Sequence, residues 1–393
     1  MSHSKNSKNF KTRAVHAGYS VDAQGAHVTP IYQTSTFSYE TSNRGAQLFS
    51  GEVSGHVYSR FSNPTVRALE LKVADLEGME DAVAFSSGMS AISAVCFAVL
   101  SPGDEVIYLG PLYGGTEGLF LNLLSRLGMR VTSADGPDDL SQKISPKTKM
   151  VYVETPTNPT LKITDLARVS EIAASVGAVC VADNTFATPY LSRPSEFGFH
   201  MVLHSMTKYL GGHGDAIGGI VSASTELCKP IRVEGLRHLG GCLGPQEAYL
   251  FLRGIKTLPL RMEAHCDGAE FLAQALAVDP RIVRVFYPGL ETHPGFDIAC
   301  RQMSRFGAMI SLDLGSATSA RCFLDHLQLF TQAVSLGDVE SLACHPASTT
   351  HRSLGAELLE RSGVTQGLVR LSVGIEDPSD LLDDIQQALE ACF

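Results

Sequence analysis

The sequence predicts an α/β protein with a mostly parallel central sheet and a smaller α+β domain behind it. Three observations lead there. Between residues 82 and 208, short apolar, β-rich runs alternate with segments of helical periodicity. The runs are apolar at successive positions, so both faces of each strand need covering, as in a parallel sheet beneath helices. After Pro245 the pattern changes to longer helical stretches and scattered short strands.

The elements follow in chain order. Residues 1–60 carry many Ser, Thr, Gly and Asn without a clean period, and read as an extended arm that needs a surface to lie on. AVAFSSG (82–88) is a strand entering a helix that ends near Leu100, and EVIYLG (105–110) precedes the helical GGTEGLFLNLLSRLG (114–128). MRVTSAD (129–135) and KMVYVETP (149–156) are strands, TDLARVSEIAASVG (164–177) is a helix, and AVCVADNTF (178–186) is the next strand. MVLHSMTK (201–208) and AIGGIVSA (216–223) add two more. One long helix is expected from about Pro245 to Ala277, then the strands RIVRVFYP, GAMISLDL and LVRLSVGI with the helices SATSARCFLDHLQ and PSDLLDDIQQALEACF. The expected division is an arm (1–60), a large α/β domain (61–255) and a C-terminal α+β domain (256–393).

Composition narrows the function. Of 393 residues, 44% are hydrophobic and 18% charged, enough apolar material for a large core. A formal charge of −10 disfavours nucleic acid and anionic membranes as partners. The longest apolar run, Ala94 to Leu100, is far short of the ~20 residues that span a bilayer. The polar start MSHSKNSKNFKTR has no apolar stretch behind it, so no secretory signal and a cytoplasmic location are expected. Nine cysteines stand singly with no C-x-x-C pair, which reads as reduced thiols, with neither a disulfide nor a cysteine-built zinc site. His200 and His204 are four apart, but on a strand and without H-E-x-x-H, so no metal is expected there either.

Open α/β sheets bind ligands beyond the carboxyl ends of their strands. Three features fall at such ends. Ser205-Met206-Thr207-Lys208 follows a strand and precedes the glycine-rich GGHGDAIGG; the amine can form a Schiff base with an aldehyde, and the hydroxyls can hold phosphate oxygens. Taken alone, Lys208 is better explained as a solvated surface lysine beside a loop. Asp183 closes the apolar strand AVCVAD, where a carboxylate is costly unless a positive group meets it, such as a protonated pyridine nitrogen. A helix cap or a structural ion pair explains Asp183 equally well in isolation. Ser86-Ser87-Gly88-Met89-Ser90 is a strand–turn–helix junction whose N–H groups suit a phosphate, although a simple helix cap is the commoner reason for such a sequence. Neither a P-loop nor a dinucleotide fingerprint is present. Together the three describe a site for pyridoxal phosphate (PLP).

With these motifs the chain resembles the Cys/Met-metabolism family of PLP enzymes, which includes cystathionine γ-synthase, the cystathionine lyases, methionine γ-lyase and the homoserine sulfhydrylases. The likeness runs from about Thr12 to the C-terminus. It is carried by Tyr58-Ser59-Arg60-Phe61-Ser62-Asn63-Pro64-Thr65, Ser87-Gly88-Met89, Tyr113-Gly114-Gly115-Thr116, Glu154-Thr155-Pro156-Thr157-Asn158-Pro159, Asp183-Asn184-Thr185, Ser205-Met206-Thr207-Lys208-Tyr209, Ser335-Leu336-Gly337-Asp338 and Arg370-Leu371-Ser372-Val373-Gly374. The resemblance implies the PLP-dependent transferase fold of type I, like aspartate aminotransferase. It implies Lys208 as the Schiff-base lysine and proton carrier, and Asp183 as partner of the ring nitrogen. Gly88, Met89, Ser205 and Thr207 would hold the phosphate, with Thr185 and Asn158 among the cofactor contacts. Tyr58 and Arg60 would reach that phosphate from a neighbouring subunit, in a homo-oligomer built as a dimer of catalytic dimers. Tyr113 would stack on the cofactor and serve as acid–base. Arg370, whose fork suits a carboxylate, and Ser335 would bind the amino-acid substrate.

The reaction expected from the resemblance is γ-elimination on methionine-like thioethers, giving a thiol, a 2-oxo acid (2-oxobutanoate for methionine) and ammonia. Cystathionine γ-lyase or γ-synthase and O-acetyl- or O-succinylhomoserine sulfhydrylase activity are the alternatives. Gln332 to Asp338 and His345 to His351 look most like methionine γ-lyases and some sulfhydrylases. Val334 stands where animal cystathionine γ-lyases have glutamate, and Glu117-Gly118 where they have Asn-Arg. An acidic Glu117 beside the pocket is expected to repel the far end of cystathionine. Against the methionine reading, Gly115 replaces a usual cysteine, and Arg237-His238 a Lys-Asp-like pair. A protein that only stores the cofactor is the reading from another class, and Lys208, Asp183, Tyr113 and Arg370 all speak against it.

Overall fold

The computed structural model describes residues 8–352, 359 and 363–393. Its larger sheet has seven strands: β1 (Asp81–Phe85), β2 (Glu105–Leu109), β3 (Arg130–Ala134), β4 (Thr148–Glu154), β5 (Val179–Asp183), β6 (Met201–Ser205) and β7 (Gly219–Ala223). They lie in the order β1-β7-β6-β5-β4-β2-β3. Only β7 runs against the others, wedged between β1 and β6. Alternate side chains of each strand enter separate cores: Val106, Tyr152 and Val181 pack on one face, while Ile107, Val151 and Ala182 pack on the other. This two-sided burial is why the strands read as unbroken apolar runs. The register sets Glu154 beside Asp183, and β1, β4, β5 and β6 all open their carboxyl ends on one edge.

The second sheet is built from β8 (Arg284–Phe286), β9 (Met309–Asp313), β10 (Thr331–Gln332), β11 (Leu342–Cys344) and β12 (Leu368–Ser372), ordered β10-β11-β12-β9-β8. The single helix expected from Pro245 to Ala277 is two, Pro245–Ile255 and Leu258–Leu276. Pro259 sits in the first turn of the second, where a missing N–H costs nothing. Buried Arg261 bridges the break, donating to Tyr209 O at 2.7 Å and Gly254 O at 2.9 Å.

The first part of the arm is better anchored than its composition suggests, while residues 1–7 lie outside the described residues. Helix Phe10–His16 docks on helix Pro64–Glu77: Arg13 pairs with Asp75, and Lys72 donates to the carbonyls of Ala14 and Val15 at 2.8 and 3.2 Å. Beyond it, Tyr39, Phe49 and Tyr58 stay exposed.

The expectation that every thiol is reduced is corrected: a disulfide joins Cys322 to Cys392, 70 residues apart in sequence. The reason is tertiary, since helix Ala317–His326 and the last helix, Pro378–Glu390, converge at that corner. His200 and His204 serve structure: the first accepts from Cys180 N at 3.0 Å, and the second meets Glu77 at 2.6 Å in full burial. Among the described residues, no helix is long and apolar enough to cross a membrane.

Candidate active site

At the end of β1, Ser87 caps helix Gly88–Val99 by accepting from Ser90 N at 3.1 Å. The early amides of that helix have no carbonyl of their own helix to bond, and Gly88 and Met89 line a cleft at the sheet edge. A β-carbon at Gly88 would stand 2.9 Å from the Cβ of Ser205, so glycine lets the helix start close against β6. Past β6, Met206 and Tyr209 are fully buried and pin the turn between them. Ser205 N donates to Thr185 Oγ1 at 2.9 Å, and Gly218 N donates to Thr207 Oγ1 at 3.1 Å.

Lys208 donates from Nζ to Ser335 Oγ at 2.7 Å. Burial, reinforced by the nearby Arg370 guanidinium, lowers its pKa from 10.5 to about 8, with Asp338 pulling the other way. Asp183 is buried at the end of β5, accepting from Thr185 N at 3.1 Å and Tyr152 OH at 3.3 Å. No cation pairs with it among the described residues, and burial raises its pKa despite those donors.

Opposite stands β12. Arg370, itself buried, donates from Nη1 to Asn158 Oδ1 at 3.0 Å and from Nη2 to Ser335 O at 2.7 Å. Its Nε is buried without a partner among the described residues. Ser335 has φ of 99°, in the left-handed region that costs a non-glycine residue of order 1–3 kcal/mol. That backbone turns its hydroxyl to Lys208 and its carbonyl to Arg370.

Sequence reasoning missed Glu154. At the end of β4 its Oε2 accepts from Tyr113 N at 2.8 Å and its Oε1 from Asn158 N at 3.1 Å. Burial, and then the adjacent Asp183 carboxylate, push its pKa from 4.5 up to about 8. One carboxyl thereby fixes both Tyr113, the half-exposed ring at the mouth, and Asn158, the support of Arg370. The usable signal was a lone carboxylate closing an apolar strand, the same signal that picked out Asp183.

The cleft encloses about 710 Å³. It brings together Gly88, Met89, Tyr113, Asn158, Asp183, Thr185, Ser205, Thr207, Lys208, Ser335 and Arg370. Tyr58 and Arg60 are not among its lining residues; Arg60 donates to Arg237 O at 2.8 Å and stacks over Phe61, 4.7 Å from the ring centre. Glu117 is corrected as well: it is buried against Tyr108 OH at 3.0 Å, off the cleft wall, so its charge does not screen substrates there. A side chain at Gly115 would meet the Tyr113 ring at 2.6 Å, which gives that glycine a steric reason.

A lysine amine that burial brings close to neutrality suits an aldehyde cofactor, and a buried carboxylate without a paired cation suits a ring nitrogen's proton. That combination, at the strand ends of an α/β sheet, marks the class of PLP-dependent enzymes. The chain belongs to the Cys/Met metabolism PLP-dependent enzyme family, whose model matches residues 11–390. It is 48% identical over 387 residues to an L-methionine gamma-lyase from Pseudomonas putida, covering 97% of each chain. It is 46% identical to a cystathionine gamma-lyase from Bacillus subtilis, covering 97% of this chain and 99% of that one. A crystal structure of cystathionine gamma synthase from Xanthomonas oryzae pv. oryzae, in complex with aminoacrylate and cysteine, superposes with a TM-score of 0.93 at 41% identity, covering 98% of both chains.

The residues present fit the cofactor. Asp183 offers a buried carboxylate in want of a cation, Gly88 and Met89 bring the open amides of a helix start to the cleft, and Lys208 supplies the amine.

Proposed function

We propose that the protein catalyses γ-elimination on methionine-like thioethers. One observation carries this choice within the family. The ionisable side chains that line the cleft (Glu154, Asp183, Lys208, Arg370) are buried or half-buried, while its exposed lining, Ile217 and Val334 with Gly115, Thr349 and Thr350, brings no charge. Such a wall accepts a methyl thioether and offers no counter-charge to the charged far end of cystathionine.

In this reading Arg370 takes the substrate carboxylate through its fork, exchanging Asn158 Oδ1 and Ser335 O for the substrate's two oxygens. Bound PLP supplies an electron sink for negative charge at the substrate α-carbon. Lys208, near neutrality at pH 8, removes and returns protons, and Ser335 Oγ holds its Nζ in place between transfers. Asp183 keeps the ring nitrogen protonated. Gly88 and Met89 amides with the Ser205 and Thr207 hydroxyls receive the phosphate, and Thr185, bonded to Ser205 N and to Asp183, keeps the two halves in register. Tyr113 covers the ring and protonates the departing sulfur. Tyr58, exposed, and Arg60, half-buried, both lie off the cleft and act on the phosphate of a second copy of the chain, which makes the working enzyme a homo-oligomer. The proposal includes the domain limits 61–255 and 256–393, supported by the two sheets falling on either side of the helix break at Lys256.

The second reading, γ-replacement by a thiol, draws on the likeness to the Xanthomonas synthase. The test is 2-oxobutanoate release from L-methionine and from L-cystathionine, beside thioether formation from O-acetylhomoserine and cysteine. Higher kcat/KM on methionine is expected. Release from cystathionine alone, or replacement without elimination, overturns the ranking.

A further inference from the structure

The corner that closes the C-terminal domain carries more than a crosslink. Cys322 and His326 are four apart on helix Ala317–His326 and so project from one face. Cys392 arrives from just beyond helix Pro378–Glu390. The Cys322 sulfur lies 3.7 Å from His326 Nδ1, and one donor atom from each of the three residues falls within 4.8 Å of the others. It is the one such cluster of three His, Cys, Asp or Glu side chains among the described residues. The elements that bear it are locked to each other: Gln387 Nε2 donates to His326 O at 2.7 Å, and Asp384 accepts from Gln328 N and Leu329 N, both at 2.8 Å. Both cysteines are half-exposed and the imidazole is exposed, so solvent reaches the group. Four buried thiols elsewhere differ: burial pushes Cys96, Cys180, Cys228 and Cys266 up to about 12, which leaves them inert.

We propose that Cys322, His326 and Cys392 form a two-state clasp: a disulfide when oxidised and, once reduced, a three-ligand site for a thiophilic divalent cation of the zinc class. Two sulfurs and one imidazole nitrogen are the donor set such cations favour, with water from the solvent side as a fourth ligand. Opening consumes a dithiol reductant. Its two thiols give two electrons and two protons, the S–S bond becomes two S–H groups, and the reductant becomes a disulfide. Cation binding then releases both thiol protons, and the dipositive ion is balanced by two thiolates. His326 Nδ1 donates to Cys322 O at 2.8 Å; ligating the ion breaks that bond and moves the ring proton to Nε2, which leaves the Nδ1 lone pair for the cation. Cys392 lies past the last helical turn, so its side chain can swing to admit the ion. In either state the final helix remains tied to helix Ala317–His326, and redox conditions decide which bond ties it.

The test uses the full-length, PLP-loaded protein with cobalt(II) as the probe, and its readouts are independent of which substrate is cleaved. Before reduction, intact mass shows two hydrogens fewer than the all-thiol chain, and cobalt gives no thiolate charge-transfer band. After reduction by a phosphine and its removal, one cobalt per chain binds with that band. The band is lost in Cys392→Ser. His326→Ala weakens binding by at least roughly tenfold, since losing even an outer-shell partner costs about that much. Reduction lowers Tm in the parent and cobalt restores it, whereas cobalt leaves the Tm of Cys392→Ser unmoved. A parent that never shows the disulfide, a reduced parent without the band, or a band that survives Cys392→Ser through another thiol such as exposed Cys300 overturns the proposal.

Discussion

Glu154→Gln isolates what one carboxyl does for the cleft. At neutral pH the raised pKa keeps a proton on Glu154, so the amide matches it in charge and size. The difference is one acceptor. The acid offers an oxygen each to Tyr113 N and Asn158 N, whereas the amide has a single oxygen and turns its NH2 towards the other N–H. A buried donor left unmatched costs about 1–3 kcal/mol. If that cost falls on the placement of Tyr113 or Asn158 in the reacting complex, kcat/KM drops roughly 5- to 150-fold. The assay is elimination kinetics on methionine, paired with thermal unfolding of the cofactor-free protein across pH. The sign of the second measurement follows from linkage. A carboxyl whose folded pKa lies above its unfolded 4.5 favours the folded state only while it keeps its proton. The parent therefore loses stability as pH rises from about 4.5 to about 8 and levels off above that. Glu154→Gln removes this contribution to the slope. A variant with kcat/KM within about twofold of the parent, and with the same pH slope, refutes the reasoning.

The rate at which cofactor-free protein takes up PLP, followed by absorbance, rises with pH to about 8 and then flattens, because the neutral Lys208 amine is the reacting form; a rise continuing towards 10.5 counts against it. Gly88→Ala sets a Cβ 2.9 Å from that of Ser205 and closes the phosphate turn, so equilibrium dialysis should find weaker PLP retention in a chain of nearly parental secondary structure. Arg370→Lys keeps the charge but loses the fork that spans Asn158 Oδ1 and Ser335 O; a charge-assisted bond is worth about 1.5–3 kcal/mol, so kcat/KM should fall roughly 10- to 150-fold. An unchanged KM and kcat in that variant would remove Arg370 from the substrate contacts.

The large sheet was legible because six of its seven strands are buried on both faces and flanked by helical periodicity, the half-exposed edge strand β3 being the exception. β1 to β7 fall on the apolar runs to within a few residues. β10 and β11, two and three residues long, carry no period to detect. The break between Ile255 and Leu258 was signalled by Thr257 and Pro259, but apolar spacing on either side hid it. At the cleft, residues that present unusual groups at strand ends, Asp183 and Lys208, could be named from the sequence. Glu154 carried the same strand-end signal but not its role, because its partners are backbone N–H groups 41 residues before it and four after it. Glu117 was misplaced because residue spacing cannot tell which side of a short helix faces a cavity. The Cys322–Cys392 bond rests on two helix ends meeting in space, which no local pattern encodes.

Ser335 ties two groups of the cleft through one residue. Its hydroxyl accepts from Lys208 and its carbonyl from Arg370, so a single left-handed backbone position keys the amine and the guanidinium together. In the proposed reading, a carboxylate that draws the Arg370 fork from the Ser335 carbonyl loosens the residue that also touches the lysine, so arrival at one group is felt at the other.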